Sequence, residues 1–539
     1  MQEAADWASS YLGRQVTVSN ISYLIQYGRV RKYRAKSTLV SKKQLKAYYD
    51  SEVIPQEKLW KQQLGEDINW ELSFSDVRES ERTKHVHRLH PYKGKYIPQL
   101  VEHFLSQFFK KKEIILDPFV GSGTTLVQCL ELGLHSIGID ISRYNCIISK
   151  VKTAAYDLQS LETILLGAAE STNSFSSSTF SSDVDQQLDE ALSTINRRFY
   201  PREYKQLIDL LRHQKQDAET ELKKFLQQTS VEFDFTFDAS ERNISDFTQE
   251  YSKAALAILN QELNAKPRSP EQDSESNSDF LQTWFVPRQQ EELKHYNAQI
   301  EIQENERVRN LMRVILSRTA RSCRATTHSD LATLVKPQYE PYYCTKHYKL
   351  CRPVSTIVPH LLRYTKDTMK RLKEFSELKK DVFTEVINAD SSTVNVFSLI
   401  QSGNPTFAEL LSKEKLAGVF TSPPYVGQID YHEQHAYAYE LFAIERRDEL
   451  EIGSKSNGVS RRAQEDYIEG ISGVLRNISQ FLRDEALIFI VANDQRNLYP
   501  EIASRSDFKI EEVFRRPVLN RTERDKQPYS ESIFRMVKV

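Results

Sequence analysis

"EIILDPFVGSGTTLVQCLELGLHSIGIDIS", residues Glu113 to Ser142, is the stretch that decides the fold. An apolar run ends at Asp117, a glycine-rich turn follows, then a segment with helical spacing, then a second apolar run closing on Asp140. Strand, turn, helix and strand in this order form a β-α-β unit, the building block of a parallel sheet. Gly121 and Gly123 let the backbone approach a ligand closely just before a helix N-terminus, which favours a nucleotide-like molecule. The turn is not a P-loop: it lacks the Gly-Lys-Ser/Thr ending, so triphosphate binding is disfavoured. The acid that ends the second strand can accept both hydroxyls of a ribose.

Further strands are expected at "VFTEVINADSS", "LAGVFTSPPY", "ALIFIVAND", "FKIEEVFRRP" and "SESIFRMVKV", all beyond Asp381. Between Val151 and Asp381 the texture changes. "STNSFSSSTFSS" and "KPRSPEQDSESNSD" read as low-complexity loops, whereas "EYKQLIDLLRHQKQDAETELKKFLQ" and "EELKHYNAQIEIQENERVRNLMRVILSR" read as charged helices. In "VEFDFTFDAS", Phe233, Phe235 and Phe237 alternate as in an edge strand. The α/β domain is thus interrupted by a large, mostly helical insertion and then completed.

At the end of one of those strands stands "FTSPPYVG", residues Phe420 to Gly427. Ser422 offers a hydroxyl, the Pro423 carbonyl has no helical partner, and Tyr425 presents a ring. Pro423 and Pro424 fix φ, so the carbonyl stays aimed without conformational cost. A planar base with an exocyclic amine satisfies all three groups: its amine donates to the hydroxyl and the carbonyl while the ring stacks. A stiff strand-end turn is the bland alternative.

Together the two motifs resemble the S-adenosylmethionine-dependent amino-methyltransferases of DNA. "DPFVGSGTT" looks like their cofactor motif, which assigns Asp117, Phe119, Gly121, Gly123 and Thr124 to the cofactor pocket. Asp140 is similar to their ribose-binding acid. Asp390, in "INADSS", matches the acid that meets the adenine amino group, and "HPYKGKYIP" adds Tyr92 and Lys95 near the methionine moiety. "TSPPY" looks like their catalytic motif, Ser422 to Tyr425. In that family Ser before Pro-Pro usually accompanies cytosine N4 methylation, and Asn or Asp adenine N6 methylation. The resemblance therefore implies a cytosine-N4 enzyme that flips its base out of duplex DNA, with no cysteine nucleophile or metal needed. Adenine N6 methylation, RNA modification, and a DNA-binding regulator with an inactive methylase fold are the rival readings. Most cytosine-N4 enzymes place the catalytic half first. Here the cofactor half precedes it, and the insertion falls before the strand carrying Asp390, so target recognition cannot be assigned by position. Such enzymes commonly work beside a restriction endonuclease, which would be a separate partner because no nuclease motif is evident.

The N-terminus has its own character. No acid occurs from Trp7 to Tyr49, whereas Arg14, Arg29, Arg31, Lys32, Arg34, Lys36, Lys42, Lys43 and Lys46 do. A helix near Glu3 to Leu12, a second from an N-cap at Ser19 to Gly28, two short strands and a helix from Ser41 are expected. "NISYLIQYGRVRKYR" and "VSKKQLKAYY" resemble the winged helix-turn-helix of the excisionase and MerR-like group, which implies DNA contacts from Asn20, Tyr23, Arg29, Arg31, Lys32 and Arg34. A small basic domain contacting RNA or protein is the alternative.

The expected plan is a winged helix-turn-helix over 1–50, a connector over 51–85, the cofactor half of a doubly wound, Rossmann-like α/β sheet over 86–155, a helical insertion over 156–380 as a candidate target reader, and the catalytic half over 381–539. The 539 residues suffice for several domains, and a net charge of −1 leaves only local basic patches. Five scattered cysteines and the lack of a charged-then-apolar leader point to a reduced, cytoplasmic protein with no membrane span. Cys344, His347 and Cys351 are spaced as zinc ligands, but a structural site needs four. Cys323 and His360 have no convincing spacing, so no metal is expected.

Overall fold

Seven apolar runs bounded by turns supply the strands of one sheet. The computed structural model describes every residue except 13–15, 27–29, 31, 35–37, 53–55, 66, 78, 93, 95, 213–217, 230–240, 264–279, 329, 331–335 and 520–527. The chain divides into two compact units. One comprises Glu66–Ser181, Ser274–Ala325 and Val354–Val539, the other Met1–Gly65, Ser182–Asp273 and Thr326–Pro353.

The first unit holds strands β1 (Ile114–Asp117), β2 (His135–Asp140), β3 (Thr384–Asn388), β4 (Leu416–Thr421), β5 (Leu482–Ala492), β6 (Phe508–Pro517) and β7 (Ser530–Lys538). They form a seven-stranded sheet in the order β6-β7-β5-β4-β1-β2-β3. Pairings from β3 through β5 are parallel, and β7 runs antiparallel to both β5 and β6. Alternate side chains feed two cores: Ile114 and Leu116 join one, Ile115 the other. Helices on both faces leave β1 and β2 wholly buried, which is why they read as continuous apolar runs. The sheet grows outward from β1 in both directions, through β2 on one side and β4 on the other. The strand order therefore reverses beside β1, where open α/β sheets bind ligands.

Part of the long insertion also belongs to this unit. "STNSFSSSTFSS", expected as a loop, is instead largely the last turns of the helix Leu158–Thr179. Its hydroxyls are absorbed by packing: Thr172 Oγ1 donates to the Ala168 carbonyl at 3.1 Å and Ser176 Oγ to Glu292 Oε1 at 2.5 Å. Tertiary contacts override the weak helix preference of serine. The stretch expected as one helix from Glu291 to Arg318 is broken into Pro287–Glu301 and Glu306–Cys323, with Asn305 capping the second by accepting from Arg307 N and Val308 N.

In the second unit the N-terminal elements run helix Gln2–Leu12, helix Val18–Gln26, an antiparallel pair Lys32–Arg34 with Thr38–Val40, and helix Lys42–Glu52. The second helix is capped two residues earlier than expected. Asn20 N donates to Thr17 Oγ1 and Thr17 N to Asn20 Oδ1, a reciprocal pair that makes Thr17, not Ser19, the N-cap. Ala5, Ala8, Ile21, Leu24 and Leu45 share a small core there. Helices Asp183–Phe199, Arg202–Arg212, Ala218–Thr229 and Glu241–Glu262 surround a second core of Phe199, Tyr204, Phe247 and Tyr251. "VEFDFTFDAS" and "KPRSPEQDSESNSD" lie outside the described residues. A hairpin of Tyr342–Cys344 and Lys349–Cys351 completes the unit. Among the described residues no helix is long and apolar enough to cross a membrane.

Candidate active site

Asp117 ends β1 as a knot between strands. Its Oδ1 accepts from Phe119 N at 3.2 Å and Thr421 Oγ1 at 2.6 Å; its Oδ2 accepts from Thr125 Oγ1 at 2.6 Å and Tyr96 OH at 3.2 Å. Burial raises its pKa, and these four donors act against the rise. With both oxygens occupied, Asp117 does not line the cleft beside it. It ties the end of β1 to the end of β4.

The glycine-rich turn follows. Gly121 has φ +47° and Gly123 φ +78°, and Gly123 caps the helix Thr124–Leu132. The turn is held from behind: buried Lys152 donates to the Ser122 carbonyl at 2.6 Å and Ser149 Oγ to the Gly121 carbonyl at 2.9 Å. Gly121 N donates to Asp140 Oδ2 at 2.9 Å, tying the turn to the end of β2. Asp140 Oδ1 accepts from Ser142 N at 2.8 Å, and Asn145 Nδ2 reaches both carboxylate oxygens. Burial pushes the Asp140 carboxyl up to about 6, despite these donors. Asn145 Nδ2 also donates to the Tyr92 hydroxyl at 3.2 Å.

These groups border one cleft at the C-terminal edge of the sheet. Tyr92, Phe119, Gly121, Thr124, Asp140, Asp390, Ser422 and Pro424 all line it, although they come from segments some three hundred residues apart in sequence. Asp390 keeps Oδ1 on Ser392 N and Oγ, at 2.8 and 2.7 Å. Gly123, Pro423 and Tyr425 are the neighbours in sequence of lining residues and are not themselves part of the lining. The Tyr425 hydroxyl donates to Glu531 Oε1 at 3.1 Å, and Glu531 Oε2 pairs with Arg516 Nε at 3.1 Å. Burial holds the Tyr425 phenol well above its ordinary range, so it remains a donor. Lys95, and the side chains of Tyr23, Arg29, Arg31, Lys32 and Arg34, lie outside the described residues; Asn20 is exposed and shares its amide oxygen with the helix cap.

Several site groups are not among the residues singled out from the sequence. Tyr96, Ser142, Asn145, Ser391, Leu450, Glu451 and Ile452 also line the cleft. Tyr431 and His432, a few residues beyond "FTSPPYVG", line the same cleft. Glu451 accepts from Tyr431 N and His432 N and meets His432 Nδ1. Arg447 N donates to His432 Nε2 at 3.3 Å, which fixes the tautomer with its proton toward Glu451. Gly427 N donates to the Gly453 carbonyl, so the segment after β4 is pinned along the cleft.

This order of strands, with an acid ending β2 and a stiff hydroxyl-bearing end on β4, defines a Rossmann-like methyltransferase. Comparison with known proteins gives the family. Residues 19–151 match the DNA methylase family. The chain is 45% identical over 537 residues to the type II methyltransferase M.MjaII of Methanocaldococcus jannaschii, covering 99% of this chain and 96% of that one. Shorter matches join it to the type II methyltransferases M.MvaI of Kocuria varians, 41% over 90 residues, and M.BsoBI of Geobacillus stearothermophilus, 34% over 87 residues. Those two cover 16% of this chain each, and 19% and 17% of the relatives. The chain belongs to the type II DNA methyltransferases, which use S-adenosyl-L-methionine.

The cleft fits that cofactor. Ser122 Oγ and Asn145 Oδ1 are buried without a hydrogen-bond partner among the described residues, and both residues line the cleft. A polar, nucleoside-sized molecule answers such groups, whereas an apolar one would leave them unsatisfied. Of the lining residues, Asp140 would hold the ribose hydroxyls, Asp390 the adenine amino group and Tyr92 the sulfonium end if the cofactor sits as the resemblance implies.

Proposed function

We propose that this enzyme methylates the exocyclic N4 of cytosine in duplex DNA, within a restriction-modification system. The observation that carries the reading is Ser422: a neutral hydroxyl stands before Pro-Pro and lines the same cleft as Asp140 and Asp390. In the family this hydroxyl usually accompanies cytosine.

Bound S-adenosyl-L-methionine supplies an electrophilic methyl group on sulfur. The chain does the rest by placement. Ser422 Oγ and the Pro423 carbonyl accept the two amine hydrogens, which draws the nitrogen out of conjugation and frees its lone pair for attack. The new N–C bond forms as the C–S bond breaks, and the displaced amine proton leaves toward these acceptors or water. Tyr425 stacks on the flipped base, held in place by Glu531 and Arg516. The segment around His432 and Glu451 walls the cleft and limits water. Target choice is shared between the basic N-terminal helices, in the manner of a winged helix-turn-helix, and the helical insertion.

Nucleoside mass spectrometry of DNA from expressing cells tests the assignment. N4-methylcytosine that disappears in Tyr425→Ala supports it. N6-methyladenine would reverse the base, and unmodified DNA despite tight cofactor binding would favour a regulator.

A further inference from the structure

The geometry points to a structural zinc site in the second unit, made by His328, Cys344, His347 and Cys351. The three ligands on the hairpin follow the spacing seen in sequence; the fourth group is His328, which spacing did not offer. Cys323 and His360, weighed as the missing ligand, belong to the other unit.

One ligand atom from each of the four residues lies within 4.8 Å of the others. Cys344 Sγ is 3.5 Å from His347 Nδ1 and 3.7 Å from His328 Nδ1, and Cys351 Sγ is 3.5 Å from His347 Nδ1. Zinc bonds of about 2.3 Å to sulfur and about 2.0 Å to nitrogen, at tetrahedral angles, put sulfur and nitrogen about 3.5 Å apart. The three separations match that edge. Two thiols and two imidazoles are the donor set of a closed zinc site and suit hard, oxygen-seeking ions poorly. Four protein ligands fill the tetrahedron, so the ion would hold structure rather than activate water.

The surroundings are built to hold these atoms. Cys344 and Cys351 are buried on paired strands, while His328 and His347 close the site from the exposed side. The turn between the strands folds back so that the His347 and Tyr348 N–H groups both donate to the Cys344 carbonyl, at 3.2 and 2.7 Å. The His328 loop is shaped by Thr327 and Asp330, which exchange hydrogen bonds, and the His328 N–H donates to the Tyr342 hydroxyl at 2.8 Å. That hydroxyl also lies 2.7 Å from His328 Nδ1; coordination through Nδ1 would trade this hydrogen bond for a metal bond. The hairpin is fastened to the helix Asp183–Phe199, where Asn196 exchanges two hydrogen bonds with the Leu350 backbone and Arg352 pairs with Asp185 and Asp189. An ion here would cross-link the chain after Thr326 to a hairpin already locked onto the insertion. The proposal stands apart from the choice of target base.

The test is metal analysis of the full chain, purified without a polyhistidine tag from zinc-supplemented medium. About one zinc per chain is expected. A mercurial that titrates thiols should release it stoichiometrically, and cobalt(II) exchanged into the wild type should give sulfur charge-transfer and tetrahedral visible bands. Cys351→Ser and His328→Ala should cut bound zinc at least severalfold, whereas Cys323→Ser should leave it unchanged. The wild-type measurements keep the test sound if a variant does not fold. A zinc-free wild type, zinc undiminished in Cys351→Ser, octahedral cobalt bands, or a Cys344–Cys351 disulfide in protein prepared without oxidant would each overturn the site.

Discussion

The Thr421 hydroxyl donates to Asp117 Oδ1 at 2.6 Å, so the last residue of β4 is tied to the last residue of β1. The next residue is Ser422. The position of the Ser422 hydroxyl is therefore set by a buried carboxylate of the glycine-rich stretch. Thr421→Val leaves that carboxylate short of one donor and is expected to cost about 1–3 kcal/mol of stability. It should also lower kcat more than cofactor affinity, while Thr421→Ser restores both. Urea unfolding and single-turnover methylation check this; wild-type stability and rate in Thr421→Val would remove Asp117 from the positioning of Ser422.

If Asp140 holds the ribose, the cofactor step acquires a pH dependence. A ribose diol donates to the carboxylate, not to the acid. With the carboxyl at about 6 before binding, the competent form is full above that pH and is lost as pH falls through it. Affinity for S-adenosyl-L-methionine should be level from pH 8 to 7 and then decline, approaching about tenfold per pH unit below 6. Titration calorimetry across this range reads it directly. Asp140→Asn should bind weakly and without that decline.

Gly123 is the turn residue least able to change. Its φ is +78°, and a Cβ there would lie 2.9 Å from Ser149 Oγ and 3.2 Å from the Ser149 backbone. Relaxation of one flexible atom does not suffice, because the backbone is also too close. Gly123→Ala should cost about 1–3 kcal/mol and weaken cofactor binding more than tenfold. Gly167→Ala, within the helix Leu158–Thr179 and with nothing in the way, should instead stabilise by up to about 1 kcal/mol. Thermal unfolding of the two variants separates backbone strain from a general intolerance of alanine.

Tyr425 divides into a ring and a hydroxyl. The ring is the proposed stacking surface, worth about 1–3 kcal/mol per base. The hydroxyl serves Glu531, which keeps its pair with Arg516 when the phenol is absent. Tyr425→Phe should therefore keep kcat near that of the wild type, and Tyr425→Ala should lose about five- to 150-fold. Equal losses in steady-state methylation would assign the role to the hydroxyl.

The β-α-β unit was legible because its signals are local: an apolar run, two glycines and an acid within one stretch. Strands β3 to β7 were legible for the same reason. Asp140, Asp390 and Ser422 end strands, so strand order alone brings them to one edge. Tyr96, Asn145 and Glu451 were not legible, since each acts through a hydrogen bond to a residue that only the fold brings near. "STNSFSSSTFSS" misled because the partners that make it helical, such as Glu292 for Ser176, lie over a hundred residues away. His328 escaped notice because a loop, not a spacing rule, delivers it to the hairpin.

The N-terminal helices offer a test in which charge and shape separate. Lys42 and Lys43 are exposed at the start of the helix Lys42–Glu52, in a stretch with no acid from Trp7 to Tyr49 to neutralise them. If this face meets phosphates, Lys42→Glu with Lys43→Glu should weaken DNA binding and reduce its salt slope by about two, since each phosphate no longer neutralised by a lysine keeps about one counterion. Cofactor affinity should not change. Asn20→Ala is a poorer probe, because Asn20 also caps its helix with Thr17 and its loss costs about 1 kcal/mol of local stability. Removing residues 1–50 should go further and relax site choice, as read by methylome sequencing. Unchanged site choice in that truncation, together with an unchanged salt slope in the double variant, would leave recognition to the insertion alone.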